Sequence, residues 1–271
     1  MEIIGIGGSP HRNGMTTKLL QRALAGAKAE GASVTLLHLA DEDLNPCRGC
    51  GGNCWDTQAC ESDPIATARH AQLQKADGLI MSVPVYCWQM NGLTALFIDK
   101  MRWNTRSVIQ PRNARAAIGI ACAGGSGTGC VLALQALYRY FYNWAFHGID
   151  PLPVTRFNFE EALQLAEEGG RHLVQAIRAG IAPFESLGAA LAHYENLPYM
   201  NYQPLDELNL IVQQQCRALG KIDAADWEIR RLLDEAELAR KALSEGYRAS
   251  ATRHLDLAYQ AGMAAWRRYK A

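Results

Sequence analysis

The sequence is poor in the features that send a chain to a bilayer, to a nucleic acid or out of the cell. No apolar run approaches the roughly 18–20 residues that span a membrane, so no transmembrane helix is expected. An excess of one charge is missing too: 27 basic residues stand against 27 acidic ones, which removes the electrostatic footprint of a general nucleic-acid binder. The opening Met1-Glu2-Ile3-Ile4-Gly5-Ile6-Gly7-Gly8 has no basic stretch ahead of its apolar residues and reads as a strand, which predicts a cytoplasmic chain rather than an exported one. The seven histidines make no metal pair or catalytic dyad, and there is no Gly-x-Ser-x-Gly nucleophile elbow. What remains is a 271-residue chain, 49% apolar and 20% charged, long enough for one large domain or two modest ones.

Cysteine, in contrast, is in excess. Cys47, Cys50, Cys54 and Cys60 crowd into fourteen residues, and Cys87, Cys122, Cys130 and Cys216 are scattered. Without an export signal, crowded thiols read as metal ligands or redox groups rather than disulfides. The spacing Cys47-x2-Cys50-x3-Cys54-x5-Cys60 puts four thiolates on one loop, about 46–62, whose Gly49, Gly51, Gly52 and Asn53 suit tight turns. Short successive gaps favour an iron–sulfur cluster. Structural zinc more often takes two close pairs split by a longer spacer, and it stays open, as do uncoordinated or disulfide-switching thiols. Cys122, Cys130 and Cys216 read as small buried apolar side chains. Asp41-Glu42-Asp43 reads as a solvated acidic turn ahead of the loop.

Short apolar runs alternate with helical patterns over the first two thirds of the chain. Strands are expected at 2–7, 33–39, 78–83, 115–121 and 150–157, and helices at 16–30, 64–75, 91–104, 129–146 and 160–179. This alternation implies a parallel sheet covered by helices on both faces. Glycine use then drops: twenty of the 24 lie in residues 1–184. Beyond a connector at 197–204, Ile222, Ala225, Ile229, Leu232, Ala236, Ala239 and Leu243 step 3-4-3-4-3-4, an apolar helical stripe. Helices are expected at 205–219, 224–245 and 249–269, with Gly220 and Gly246 near their ends. The expected division is 1–183 for the sheet domain and 184–271 for a helical extension. Tyr138, Tyr140, Phe141, Tyr142, Trp144 and Phe146 exceed what one buried helix face takes, which predicts a subunit interface of a homo-dimer or homo-tetramer; contact with the C-terminal helices is the alternative.

Three loops leave the same rim of such a sheet. In Gly8-Ser9-Pro10-His11-Arg12-Asn13-Gly14-Met15-Thr16-Thr17, free backbone N–H groups, a helix dipole and the hydroxyls of Ser9, Thr16 and Thr17 suit a phosphate. Both the dinucleotide fingerprint and the Gly-Lys-Ser/Thr ending of a triphosphate loop are missing, and an ordinary βα turn is the alternative. After the third strand, Pro84-Val85-Tyr86-Cys87-Trp88-Gln89-Met90 offers aromatic groups to a flat conjugated ring, or simply to the core. After the fourth, four glycines between 124 and 129 allow close backbone approach to a ligand.

The first loop, followed by Pro84-Val85-Tyr86 ahead of a helix with Leu96-Phe97-Ile98-Asp99-Lys100, resembles the flavodoxin-like NAD(P)H-dependent FMN reductase family over about residues 1–180. The cysteine cluster between the second strand and the next helix narrows the similarity to its iron–sulfur flavoprotein branch. That branch has two residues between its second and third cysteines, whereas three separate Cys50 from Cys54 here. The resemblance implies an α/β, doubly wound, five-stranded parallel sheet with an all-helical C-terminal extension. It implies FMN, with phosphate around Ser9, His11, Asn13, Met15, Thr16 and Thr17. The isoalloxazine would be flanked by Pro84, Val85, Tyr86, Cys87 and Trp88, and by Gly124, Gly125, Ser126 and Gly127. A [4Fe–4S] cluster would sit on Cys47, Cys50, Cys54 and Cys60. The expected activity couples a one-electron carrier such as ferredoxin to a two-electron acceptor, and electron transfer requires no catalytic side chain. Two alternatives stand: an NAD(P)H-dependent FMN or quinone reductase with a structural or zinc-bound cysteine loop, and a metal-stabilised assembly module that works through its tail.

Overall fold

The computed structural model describes residues 1–52, 54–57, 59–101, 115–223 and 225–270. Five apolar runs form β1 (Glu2–Gly7), β2 (Ser33–His38), β3 (Gly78–Tyr86), β5 (Ala116–Ala123) and β6 (His147–Thr155), in the sheet order β2-β1-β3-β5-β6. A two-residue strand, β4 (Gln89–Met90), folds back antiparallel on the end of β3. The pairs β1–β2, β1–β3 and β3–β5 run parallel, with Ile4 opposite both Thr35 and Leu79. Every residue of β5, and β3 up to Pro84, is buried, as strands covered on both faces must be. The expected flavodoxin-like α/β sheet is the observed one, with the short β4 added.

The helices of this part are α1 (Met15–Ala29), α2 (Cys54–Thr57), α3 (Pro64–Lys75), α4 (Gly92–Lys100), α5 (Cys130–Asn143), α6 (Phe159–Ala179) and α7 (Leu187–Asn196). On one face Leu73, Phe97, Leu134 and Phe141 from α3, α4 and α5 pack on Ile4, Ile6 and Leu79 of the sheet. On the other, α1 and α6 meet at Gly26 and Gly170. α3 begins and ends where the sequence predicts, because Asp63 caps its first turn and Pro64 opens it. The helix expected at 91–104 is described as far as Lys100; residues 102–104 lie outside the described residues. α5 stops at Asn143 rather than 146, since Ala145 turns to φ 56° and Phe146 N–H returns to the Phe141 carbonyl.

α7 is not among the expected elements, and it accounts for the aromatic cluster. Tyr138, Phe141, Trp144 and Phe146 are fully buried within this chain. Tyr194 of α7 meets Tyr138 and Tyr142 edge-on, with centroids 6.5 and 5.6 Å apart. The subunit-interface expectation is therefore corrected for these four rings, which are buried within the chain; the ring that meets Tyr138 and Tyr142 comes from α7, which is not among the C-terminal helices of the alternative.

The chain divides into two compact units. Met1–Gly124, Gly129–Pro153 and Glu160–Asn201 make the first, containing almost all of the sheet. Gly125–Thr128, Val154–Phe159 and Tyr202–Ala271 make the second, with α8 (Pro204–Leu219), α9 (Trp227–Ser244) and α10 (Arg248–Lys270). Within the second unit the predicted stripe is buried from Ile229 through Leu232, Ala236 and Ala239, facing Leu255, Ala258 and Ala261. Its ends differ: Ile222 is exposed ahead of α9, and Ala242 rather than Leu243 closes the buried row.

Candidate flavin site and cysteine loop

Parallel strands deliver their following loops to one rim, and in the order β2-β1-β3 the chain reverses direction across the sheet between β1 and β3. That switch point is where ligands settle in open α/β sheets. At this rim Gly8 continues β1, its N–H donating to the Ser82 carbonyl at 2.9 Å. Asn91 donates to the Gly8 carbonyl at 2.7 Å while its Oδ1 accepts from the N–H and hydroxyl of Thr94. A Cβ at Gly8 would stand 2.1 Å from the Thr94 hydroxyl, so the approach requires glycine. The Ser82 hydroxyl bonds the Thr16 carbonyl, fixing the first turn of α1 to β3.

The loop is braced from within. Ser9, Thr16 and Thr17 are buried; the His11 N–H donates to Ser9 Oγ at 3.1 Å and the Thr17 hydroxyl to the His11 carbonyl at 2.8 Å. The side chains of His11 and Asn13 are exposed, Met15 is half-buried, and Arg12 pairs with Asp41. α3, α4, α7 and α9 each start on a side chain that accepts a first-turn N–H, from Asp63, Asn91, Ser186 and Asp226. α1 does not. It starts on Gly14, with no side-chain cap and no acidic residue in its first turn, which leaves its orphan N–H groups to an anion.

Beyond β3 the chain makes a two-residue hairpin. Tyr86 pairs with Gln89, and Cys87 and Trp88 between them have φ 48° and 66°. Both central residues of the tightest hairpin turn need positive φ, a conformation that non-glycine residues adopt at a cost in strain. Pro84 is buried, Val85 half-buried, and Tyr86 and Trp88 stand out at 45% and 68% exposure, beside an exposed Cys87. Gly129 caps α5 at φ 90° and packs against the Trp88 backbone. Of the third loop, Gly124 lies near the Met15 sulfur, 3.6 Å from the place of a Cβ. Gly125, Ser126 and Gly127 belong to the helical unit, where Gly127 packs on Thr155 and Ile211 and the Ser126 carbonyl accepts from Tyr259.

All eight cysteines are free. Cys54 and Cys60 pack against the core, Cys47 is half-buried and Cys50 exposed; Gly49 and Gly51 turn with φ 59° and 65°. Cys60 is the anchored one. Its sulfur lies 3.6 Å from Lys100 Nζ and 3.5 Å from the Ser62 hydroxyl. Lys100 in turn meets Asp63 at 3.1 Å, both almost wholly buried. Asp63 also accepts from Ala66 and Asn45 N–H groups, at 3.0 and 3.1 Å. Burial opposes the Cys60 thiolate, yet the Ser62 bonds and then the Lys100 charge hold its pKa below the ordinary value. Burial likewise opposes both members of the ion pair; their hydrogen bonds and mutual charge still leave Asp63 lowered and Lys100 raised. The four thiols fit an iron–sulfur group by donor chemistry. Among the described residues, however, no three His, Cys, Asp or Glu side chains are already gathered around one point.

Among the residues fixing this region, Ser82, Asn91, Thr94, Asp63 and Lys100 carry no site assignment from sequence. Asp63-Pro64 and Asn91-Gly92 show ordinary helix-start signals, whereas nothing local marks Lys100. The acidic turn is corrected at Glu42: its carboxylate is buried by two bonds from the Arg69 guanidinium, both 2.9 Å.

Sheet order, switch-point loop and uncapped α1 define the flavodoxin-like class. Residues 1–154 match the family described as NADPH-dependent FMN reductase; the chain belongs to that family and is an FMN-dependent oxidoreductase. An iron–sulfur flavoprotein of Methanocaldococcus jannaschii is 32% identical over 144 residues, 52% of this chain and 72% of the relative. One from Methanosarcina thermophila is 30% identical over 130 residues, 48% of this chain and 66% of the relative. An NAD(P)H:quinone oxidoreductase from Methanothermobacter marburgensis shares the fold, with a TM-score of 0.50 at 14% identity over 64% of this chain and 98% of that one.

Proposed function

We propose that the protein holds FMN on the β1–α1 loop and the β3–β4 hairpin, and a [4Fe–4S] cluster on Cys47, Cys50, Cys54 and Cys60. In this reading it passes electrons between a one-electron carrier of the ferredoxin type and a two-electron acceptor. One observation carries it: α4 joins the two places, its N-cap Asn91 bonding Gly8 and its last residue Lys100 bonding Cys60. When bound, the flavin supplies one- or two-electron chemistry and the cluster one-electron chemistry.

The chain's own residues have definite work in this scheme. The first-turn N–H groups of α1 bind the phosphate, and Ser9 and Thr17 hold the His11 backbone in the shape that exposes them. Tyr86 and Trp88 pack the ring beside buried Pro84 and half-buried Val85, with Gly124 next to the Met15 sulfur. Cys54 and Cys60, already against the core, anchor a loop whose glycine turns let Cys47 and Cys50 close on the metal.

A second reading is favoured by the family, described as NADPH-dependent: an NAD(P)H-dependent flavin or quinone reductase with a structural or zinc-bound cysteine loop. Anaerobic reduction of the bound flavin separates the two. The proposal predicts that a reduced ferredoxin bleaches the flavin in the wild type, and that Cys50→Ala slows this at least about tenfold. Equal bleaching of both proteins by NADPH, with no response to ferredoxin, selects the second reading.

A further inference from the structure

Lys100 is 2% exposed, and a lysine buried this far requires partners. Asp63 is one such partner, and it also caps α3 through the Ala66 N–H and closes the loop through the Asn45 N–H. The ammonium has a second neighbour in the Cys60 sulfur, 3.6 Å away, where the Ser62 hydroxyl also points. The Lys100 ammonium and the Ser62 hydroxyl thus both lie against one sulfur, and the ammonium is almost wholly buried.

We propose that Lys100 is a positioning residue that sets the reduction potential of the group bound through Cys60, by holding a buried ammonium against that sulfur. The inference rests on the reading of Cys60 as a cluster ligand. Reduction adds one electron from the carrier; no bond is made or broken and Lys100 keeps its proton. The added negative charge spreads onto the sulfurs, and a charged donor on a sulfur favours the reduced form. Asp63 works in the opposite sense, offsetting part of the ammonium's field. Because nine residues of α4, about 14 Å of rise, separate Lys100 from the flavin end, its charge acts mainly on the cysteine loop.

The test uses the full chain, reconstituted anaerobically with iron and sulfide, as wild type, Lys100→Met, Lys100→Arg and Asp63→Asn. Iron and sulfide are counted, the cluster potential is read by paramagnetic resonance during a redox titration, and the flavin potential by absorbance. Lys100→Met should keep its iron and move the cluster potential negative, lowering the reduced-to-oxidised ratio at fixed potential about tenfold, or 59 mV for a one-electron couple. Lys100→Arg should restore most of it, Asp63→Asn should move it positive, and the flavin potential should stay near wild type in all three. Unchanged potentials, shifts of the same sign in Lys100→Met and Asp63→Asn, or iron lost from Lys100→Met overturn the inference. Should Lys100→Met not fold, Asp63→Asn decides alone: a potential equal to or below wild type overturns it. Wild type that takes up no iron or sulfide overturns the cluster reading itself, and the inference with it.

Discussion

The backbone of Trp88 occupies the space a side chain at residue 129 would need: a Cβ built on Gly129 falls 2.4 Å from the Cα, carbonyl carbon and oxygen of Trp88. The hairpin that presents Tyr86 and Trp88 is thereby seated on the start of α5. Gly129→Ala adds that clash to a φ of 90°, so it should destabilise by about 3 kcal/mol or more and loosen FMN binding. Gly92→Ala is the control, since a Cβ there meets nothing within 4 Å; its effect should stay within about 0.5 kcal/mol. Urea midpoints and a flavin-fluorescence titration check both.

Gly14 is the place to test whether the phosphate lies on α1. Its extended backbone accepts any residue, and a Cβ there meets His11 Cβ at 3.3 Å. Gly14→Asp supplies the missing N-cap and should stabilise the protein without flavin by a few tenths of a kcal/mol, roughly the Gly-to-Asp difference at a cap. The same carboxylate repels the phosphate, so the FMN dissociation constant should rise about tenfold or more while riboflavin binding changes little. Equal effects on FMN and riboflavin would place the phosphate elsewhere.

Asn91 serves α4 and Gly8 at once. Asn91→Ala removes all three bonds and should cost about 2 kcal/mol or more, with weaker FMN binding. Asn91→Asp keeps the acceptor for Thr94 but loses the donor to the Gly8 carbonyl. It also sets a carboxylate oxygen against the Gly8 carbonyl oxygen in a site only 3% exposed, so it should lose stability as well as flavin affinity, read by melting temperature and fluorescence titration.

Acid sensitivity has a specific source in His147. Its ring stacks on Phe184 with centroids 3.8 Å apart, and among the described residues its Nε2 has no hydrogen-bond partner. Burial first, and then the charge of His193, pushes its pKa down to about 4. The unfolded chain takes up this proton near pH 6.5 and the folded chain resists it, so stability is lost as pH falls from about 6.5 to 4 and levels off below. The contribution is about 3 kcal/mol at its limit. His147→Phe should flatten the fall of the urea midpoint across that window; an unchanged slope removes His147 as its cause.

Much of the framework is legible from local pattern. Unbroken apolar runs give the strands, and Asp63-Pro64 marks the start of α3 to the residue. The site is less so, because its decisive contacts join distant residues: Asn91 to Gly8, Lys100 to Cys60, Gly129 to Trp88. The Cys87-Trp88 turn hides for a different reason, since hairpins of this type are signalled by glycine or asparagine and here the strain is borne by other residues. Glu42 likewise reads as solvated until the fold brings Arg69 beside it.

The central claim is that flavin and cluster share one chain, and their joint content tests it most directly. Protein prepared and reconstituted without oxygen should carry one FMN with four iron and four sulfide, and show a broad shoulder near 400 nm that dithionite bleaches along with the flavin bands. Cys50→Ala should lose the iron and sulfide while keeping FMN. Wild-type protein with full FMN and neither iron nor sulfide, or Cys50→Ala with undiminished iron, would contradict the account.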